Sequence, residues 1–158
     1  MNTKKSLFIA LPILCLLLSC TDKVDSDTEK SNVIEVVNGL YQSFEDKDID
    51  LMSEVMAHDQ SMLSFGTGIS DLHNSWAEWR KNHIVQFKAF DKAKINSKNM
   101  NVYLSQNSNV AWFADVSDWT LIVENDTIEM KDIRITGVLE KRNNVWKIVQ
   151  IHASVPQS

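Results

Sequence analysis

The spacing of apolar residues changes period near Lys94, and that change confines the chain to one broad architecture. Before it, apolar side chains recur every three or four residues; after it, they alternate with polar ones. Val33, Val36, Val37, Leu40, Tyr41 and Phe44 form one helical stripe, with Asn32 and Glu35 spaced as a capping box. Asp48 is placed to cap a second short helix that buries Leu51, Met52, Val55 and Met56. Phe65-Gly66-Thr67-Gly68-Ile69 supplies the turn of a hairpin-like stretch. Ser75 and Glu78 then open a third helix carrying Trp76, Trp79, His83, Phe87 and Phe90. The later alternation predicts strands over 94–104, 109–123, 127–141 and 145–155. Their polar breaks are only three or four residues long, so neighbouring strands run antiparallel. Three helices followed by a curved antiparallel sheet make an α+β fold. The helices cover the concave face and leave a cone-shaped cavity between the layers.

The first twenty residues bear on the compartment. Lys4 and Lys5 precede an apolar run from Leu7 to Leu18 that is too short for a bilayer span of ~20 residues but suits a secretory signal. The run ends in Leu17-Leu18-Ser19-Cys20, which resembles the lipobox of bacterial lipoproteins. That resemblance implies removal of residues 1–19, lipidation of Cys20, and a membrane-anchored lipoprotein of the bacterial cell envelope. Cys15 would leave with the signal, so no thiol would remain for disulfides, metal or catalysis. The polar, acidic stretch after Cys20 lacks apolar surface to offset ordering, and a flexible tether is expected over 20–31. The remaining residues, 32–156, are one domain in size.

Charge and motif content exclude several classes. Losing Lys4 and Lys5 leaves 14 basic and 21 acidic residues, a formal −7 for residues 20–158, so neither nucleic acid nor anionic headgroups are expected partners. His58, His73, His83 and His152 are scattered without metal-ligand spacing. Neither a Gly-rich phosphate loop nor a Gly-x-Ser-x-Gly elbow occurs. No metal and no cofactor are therefore expected. His58-Asp59 and Asp71-Leu72-His73 read as loop and cap residues.

The candidate site residues come from the strands. In the last strand, Trp146, Ile148, Gln150, His152 and Ser154 share one alternation, apolar at one end and polar at the other, as a pocket wall would be. His152 is then a candidate acid–base or ligand-binding group, or a histidine satisfied at the sheet rim. Arg134 and Thr136 lie mid-strand, and a buried guanidinium there needs an acceptor: a ligand carboxylate, or an internal acid such as Asp115 or Asp132. A two-residue turn at Asn143-Asn144 pairs Ile135 with His152; a loop longer by one residue, or a bulge in either strand, brings Arg134 and Thr136 to the side of His152 instead. Phe113, Asp115, Ser117 and Trp119 share another face, where Asp115 is a candidate general base or the partner of Arg134. Trp76 and Trp79 are core residues first and pocket-mouth residues second.

The C-terminal stretch Arg134-Ile-Thr136-Gly-Val138, Lys141-Arg142, Trp146-Lys-Ile148 and His152-Ala-Ser154-Val-Pro156 resembles the closing signature of SnoaL-like domains in the nuclear transport factor 2-like superfamily. The opening, with Phe44-Glu-Asp-Lys-Asp48 between two helices, is similar as well. The resemblance covers about residues 31–156. It implies a cone-shaped α+β barrel, Arg134 facing inward, and homodimerisation through the convex sheet face. It leaves three functions open: binding a small, partly apolar organic molecule, an isomerase, cyclase or lyase reaction, and a protein-interaction module. Set against the ketosteroid-isomerase branch, Ser64 stands where the base is required and Leu40 where the tyrosine is required, with Tyr41 adjacent. No carboxylate matches the second oxyanion donor.

Overall fold

The computed structural model describes residues 25–60 and 62–157. Helix α1, Ser26–Asp46, begins where the Asp25 side chain accepts from the backbone N–H of Asp27. This corrects both the capping box at Asn32 and the flexible stretch as far as residue 31, since 26–31 are helical. The acidic composition that suggests a solvated tether has another use: Asp27 and Glu29 occupy the positive end of the helix dipole. Glu29 is buried there and accepts from Lys141 Nζ at 2.6 Å and Trp146 Nε1 at 2.8 Å. The expected signal segment, Cys20 and residues 21–24 lie outside the described residues. At its far end α1 stops at Lys47, whose φ of 56° is left-handed.

The other two helices begin where the sequence places them. Asp48 Oδ1 accepts from the N–H groups of Asp50 and Leu51 to open α2, Ile49–Val55. Ser75 accepts from Glu78 N to open α3, Trp76–Gln86. Helices α1 and α2 bury Val33, Val37, Leu40 and Met52 in one apolar cluster with Phe113, Leu139 and Ile148 of the sheet.

The strands are β1 Leu63–Phe65, β2 Leu72–His73, β3 Lys92–Ser97, β4 Asn101–Leu104, β5 Val110–Val123, β6 Asp126–Arg142 and β7 Val145–Ser154. They form one curved, unclosed sheet in the order β2-β1-β7-β6-β5-β3, with β4 also paired to β5. The expectation of a wholly antiparallel sheet needs one correction, because β1 runs parallel to β7. Residues 66–144 lie between those two strands, which is ample for a crossover. The strand expected over 94–104 is two strands. Ser97 stands opposite Ser117 and Asn101 opposite Ala114, so β3 and β4 flank one extra residue.

Two further irregularities decide which side chains face inward. Asn143 and Asn144, at φ 51° and 65°, make the two-residue turn that joins Arg142 to Val145. Leu139 then pairs with Ile148 but Val138 with Gln150, which leaves Val149 as a bulge. Before the bulge Trp146 and Ile148 point into the core; after it Ile151 and the half-buried Ala153 do, while His152 is exposed. In β6, the residues between Met130 and Ile133 bulge against Asp118, with Asp132 at φ 57°.

Candidate functional site

A cavity of about 250 Å³ lies between the concave sheet face, α1, α3 and the β1–β2 loop. Its sheet wall is Met130, Ile133 and Ile135 of β6 with Ile151 and Ala153 of β7. Leu40, Tyr41 and Phe44 approach from α1, Trp79 and His83 from α3, and Trp119 and Leu121 from β5. Thr67, Asp71, His73, Asn82 and Gln86 bring polar groups to it. Most of the wall is apolar, with a few hydrogen-bonding groups set among rings and branched aliphatics. That is the usual make-up of a small-molecule site.

The neighbours of His83 determine its chemistry. It is 4% exposed and stacks on Trp79, ring centroids 4.0 Å apart, with Phe44 and Phe87 edge-on. Its Nδ1 meets the Trp79 carbonyl at 2.9 Å, so Nδ1 carries the proton and donates. Burial pushes its pKa down to about 4, outweighing the backbone contact that favours the charged form. The ring is therefore neutral near pH 7. Nε2 is an acceptor with no protein partner among the described residues, and His83 is one of the residues that line the cavity.

Tyr41 is placed differently. Its hydroxyl donates to Asp115 Oδ2 at 2.9 Å. Burial, then the Asp115 charge, push the phenol pKa well above its ordinary value. The proton is committed to Asp115, and the phenol oxygen keeps only its acceptor capacity. Asp71 Oδ2 accepts from Gly68 N at 2.9 Å at the tip of the β1–β2 loop. His73 Nδ1 lies 3.2 Å from the hydroxyl of the fully buried Ser64.

The residues singled out from sequence separate into three groups. Trp79 and Trp119 line the cavity. Phe113 and Asp115 point inward but lie behind the wall. Phe113 packs over Gly137, and Asp115 joins Tyr41 to the backbone N–H of Asn99 at the β3–β4 irregularity. The Tyr41–Asp115 pair is one that the sequence analysis did not make. Trp76 lies outside the cavity, stacked on His58 at 4.8 Å.

His152, Arg134, Thr136 and Gln150 do not line the cavity. Thr136 is opposite His152 and Arg134 opposite Ser154, as a bulge requires, but the shared side is the outer face of the sheet. His152, Thr136 and Arg134 are exposed there, and Arg134 is not the partner of Asp115. A single unbroken alternation through β7 carries His152 inward with Trp146; Val149 resets the phase, and no residue type announces that bulge. The polar groups that sequence reasoning passed over are Asp71, His73 and His83. His83 falls four residues after Trp79 on the buried side of α3, which was the available signal. Among the described residues, no three His, Cys, Asp or Glu side chains gather as metal ligands.

Comparison with known proteins agrees with this architecture. The model of the SnoaL-like domain matches residues 33–158. No curated protein matches the chain. Among solved structures, a nuclear transport factor 2-like superfamily protein from Salmonella enterica serovar Typhimurium superposes with a TM-score of 0.76 at 18% identity, covering 85% of this chain and 95% of that one. A putative dehydratase of the same family from Streptomyces avermitilis gives 0.76 at 12% identity, covering 85% and 100%. A putative ketosteroid isomerase from Shewanella frigidimarina gives 0.66 at 17% identity, covering 80% and 97%. With three helices over a curved sheet and a family model matching residues 33–158, the chain belongs to the SnoaL-like domain family of the nuclear transport factor 2-like fold.

Proposed function

We propose that this domain binds a small, mainly apolar organic molecule in the cavity between α1, α3 and the sheet. The observation that carries this reading is the wall itself: Ile133, Ile135, Ile151, Leu121 and Trp119 surround open volume that no side chain fills. The test is calorimetric titration with 2-methylnaphthalene and 2-naphthol, flat bicyclic probes of suitable size. Both bind the wild type, and Ala153→Trp, which fills the space from β7, abolishes binding while unfolding cooperatively. Absence of binding by both probes, or binding that survives in the filled variant, overturns the reading.

Proton-transfer catalysis is the second reading, and one observation favours it. His83, whose Nε2 has no protein partner among the described residues, lines the same space as Asp71 and His73. The acid–base groups of an isomerase or lyase reaction would then be these three, in place of Asp115 or His152.

We also propose that Cys20 carries a lipid and holds the domain on an envelope membrane, with the motif Leu17-Leu18-Ser19-Cys20 as support. Cys20→Ser releases the protein into the soluble fraction if this holds. A homodimer through the outer sheet face is proposed on the exposed, stacked Tyr103 and Trp112. Trp112→Glu then gives a monomer on sedimentation.

A further inference from the structure

The polar groups around the cavity are not a random mixture, and their hydrogen-bonding capacity can be counted one by one. His83 Nδ1–H is occupied by the Trp79 carbonyl, which leaves Nε2 as an acceptor. Tyr41 has given its only proton to Asp115 behind the cavity wall, so its hydroxyl offers the cavity no donor. Asp71 is a carboxylate, and the N–H of Gly68 beside it already donates to that carboxylate. The N–H of Gly66 is bound to the Asp71 carbonyl. His73, beside Ser64, presents a donor or an acceptor according to its tautomer. The indole N–H groups of Trp79 and Trp119 are taken by Met52 Sδ and Ser117 Oγ, and the other side-chain donors at the cavity, Thr67, Asn82 and Gln86, belong to exposed residues. No lysine or arginine is among the described residues that line it.

An apolar chamber in which the buried His83 and the half-buried Asp71 accept is complementary to a ligand that donates. A carboxylate entering it meets Asp71, exchanges water for lone pairs, and finds no cation. We infer that the cavity selects neutral ligands bearing a hydroxyl or N–H donor, such as a flat phenol or alcohol, and rejects organic carboxylates. This rests on the reading of the cavity as a ligand site and adds the class of ligand to it. It also reverses what Arg134 suggested, because the guanidinium that would hold a ligand carboxylate stands on the opposite face of the sheet.

Three probes of one shape test this by calorimetric titration of the full folded domain at pH 7: 2-naphthol, 2-methylnaphthalene and 2-naphthoate. The expected order is 2-naphthol tightest, 2-methylnaphthalene about tenfold weaker, the equivalent of one hydrogen bond, and 2-naphthoate weakest. In His83→Phe, which keeps a ring against Trp79 and removes the acceptor, the tenfold preference falls below threefold. Equal affinities for 2-naphthol and 2-methylnaphthalene in the wild type overturn the inference while leaving the cavity as a binding site. So does 2-naphthoate binding as tightly as 2-naphthol. If none of the three binds, the cavity reading itself fails, and the inference with it. Should His83→Phe not fold, the wild-type series alone decides.

Discussion

Tyr41 in α1 and Asp115 in β5 meet across 2.9 Å, phenol hydroxyl to carboxylate, behind the cavity wall. The carboxylate is 3% exposed, and its other oxygen accepts from Asn99 N at 3.3 Å. A buried charge held by two donors becomes costly once one is removed. Tyr41→Phe is expected to destabilise by roughly 1–3 kcal/mol in urea denaturation. Asp115→Asn, which still offers an acceptor to the phenol, costs less than Asp115→Ala. Equal losses for the Asn and Ala variants would show that the carboxylate only fills space. The raised Tyr41 pKa adds a pH signature. The native state holds the phenol proton more tightly than the unfolded chain, so this contribution is full below about pH 10 and lost above it. Tyr41→Phe lacks that alkaline loss.

His83 gives the opposite signature in acid. Its folded pKa, about 4, lies below the ordinary histidine value of 6.5. Above pH 6.5 the ring is neutral folded and unfolded, and stability is unaffected. Between pH 6.5 and 4 the unfolded chain takes up a proton that the native state refuses, and stability falls. The full difference amounts to about 3 kcal/mol. His83→Phe should flatten this part of the stability–pH curve measured by denaturant unfolding. A wild-type curve that is already flat from 6.5 to 4 would mean that the ring is charged or open to water.

The helical stripe of α1, the Asp48 and Ser75 caps, and the long alternating strands were legible because each is local. Asp48 and Ser75 need only the N–H groups two or three residues ahead, and Phe113 to Trp119 need only alternation. The site was not legible for a related reason: which residues face the cavity depends on sums along the chain. One extra residue at Val149 moves His152 from the inner to the outer face. Another in β6 lets Met130 join Ile133 and Ile135 on the wall. The start of α1 was missed because Glu29 takes its partners, Lys141 and Trp146, from more than a hundred residues away.

Gly137 marks the closest approach of the sheet to its own core. A Cβ there would lie 2.5 Å from Phe113 Cε1 and 2.7 Å from the Gln150 carbonyl oxygen. The ring can turn a little; the backbone oxygen of β7 cannot move without disturbing the bulge beside it. Gly137→Ala is therefore expected to destabilise by about 1–3 kcal/mol, as overpacking does. Phe113→Leu in the same background should recover part of this loss, since it frees one of the two contacts. No recovery in that double variant would place the whole strain on the β7 backbone.

Glu29 supplies the last test, because it decides whether residues 26–31 are tether or fold. Its carboxylate bridges Lys141 Nζ and Trp146 Nε1 and so fastens the first turns of α1 to β6 and β7. The Lys141 contact holds the carboxyl below the ordinary glutamate pKa, against the effect of burial. A lowered folded pKa means that this contribution is present above about pH 4.3 and fades as pH falls through the folded value. Glu29→Ala is expected to lower stability by about 1–2 kcal/mol at pH 7 and by much less near pH 3. Deleting residues 1–31 should cost at least as much as Glu29→Ala, since it removes the Asp25 cap as well. If that deletion leaves the urea midpoint unchanged, these residues are a tether after all. If it lowers the midpoint, any lipid-linked spacer has to end before Asp25.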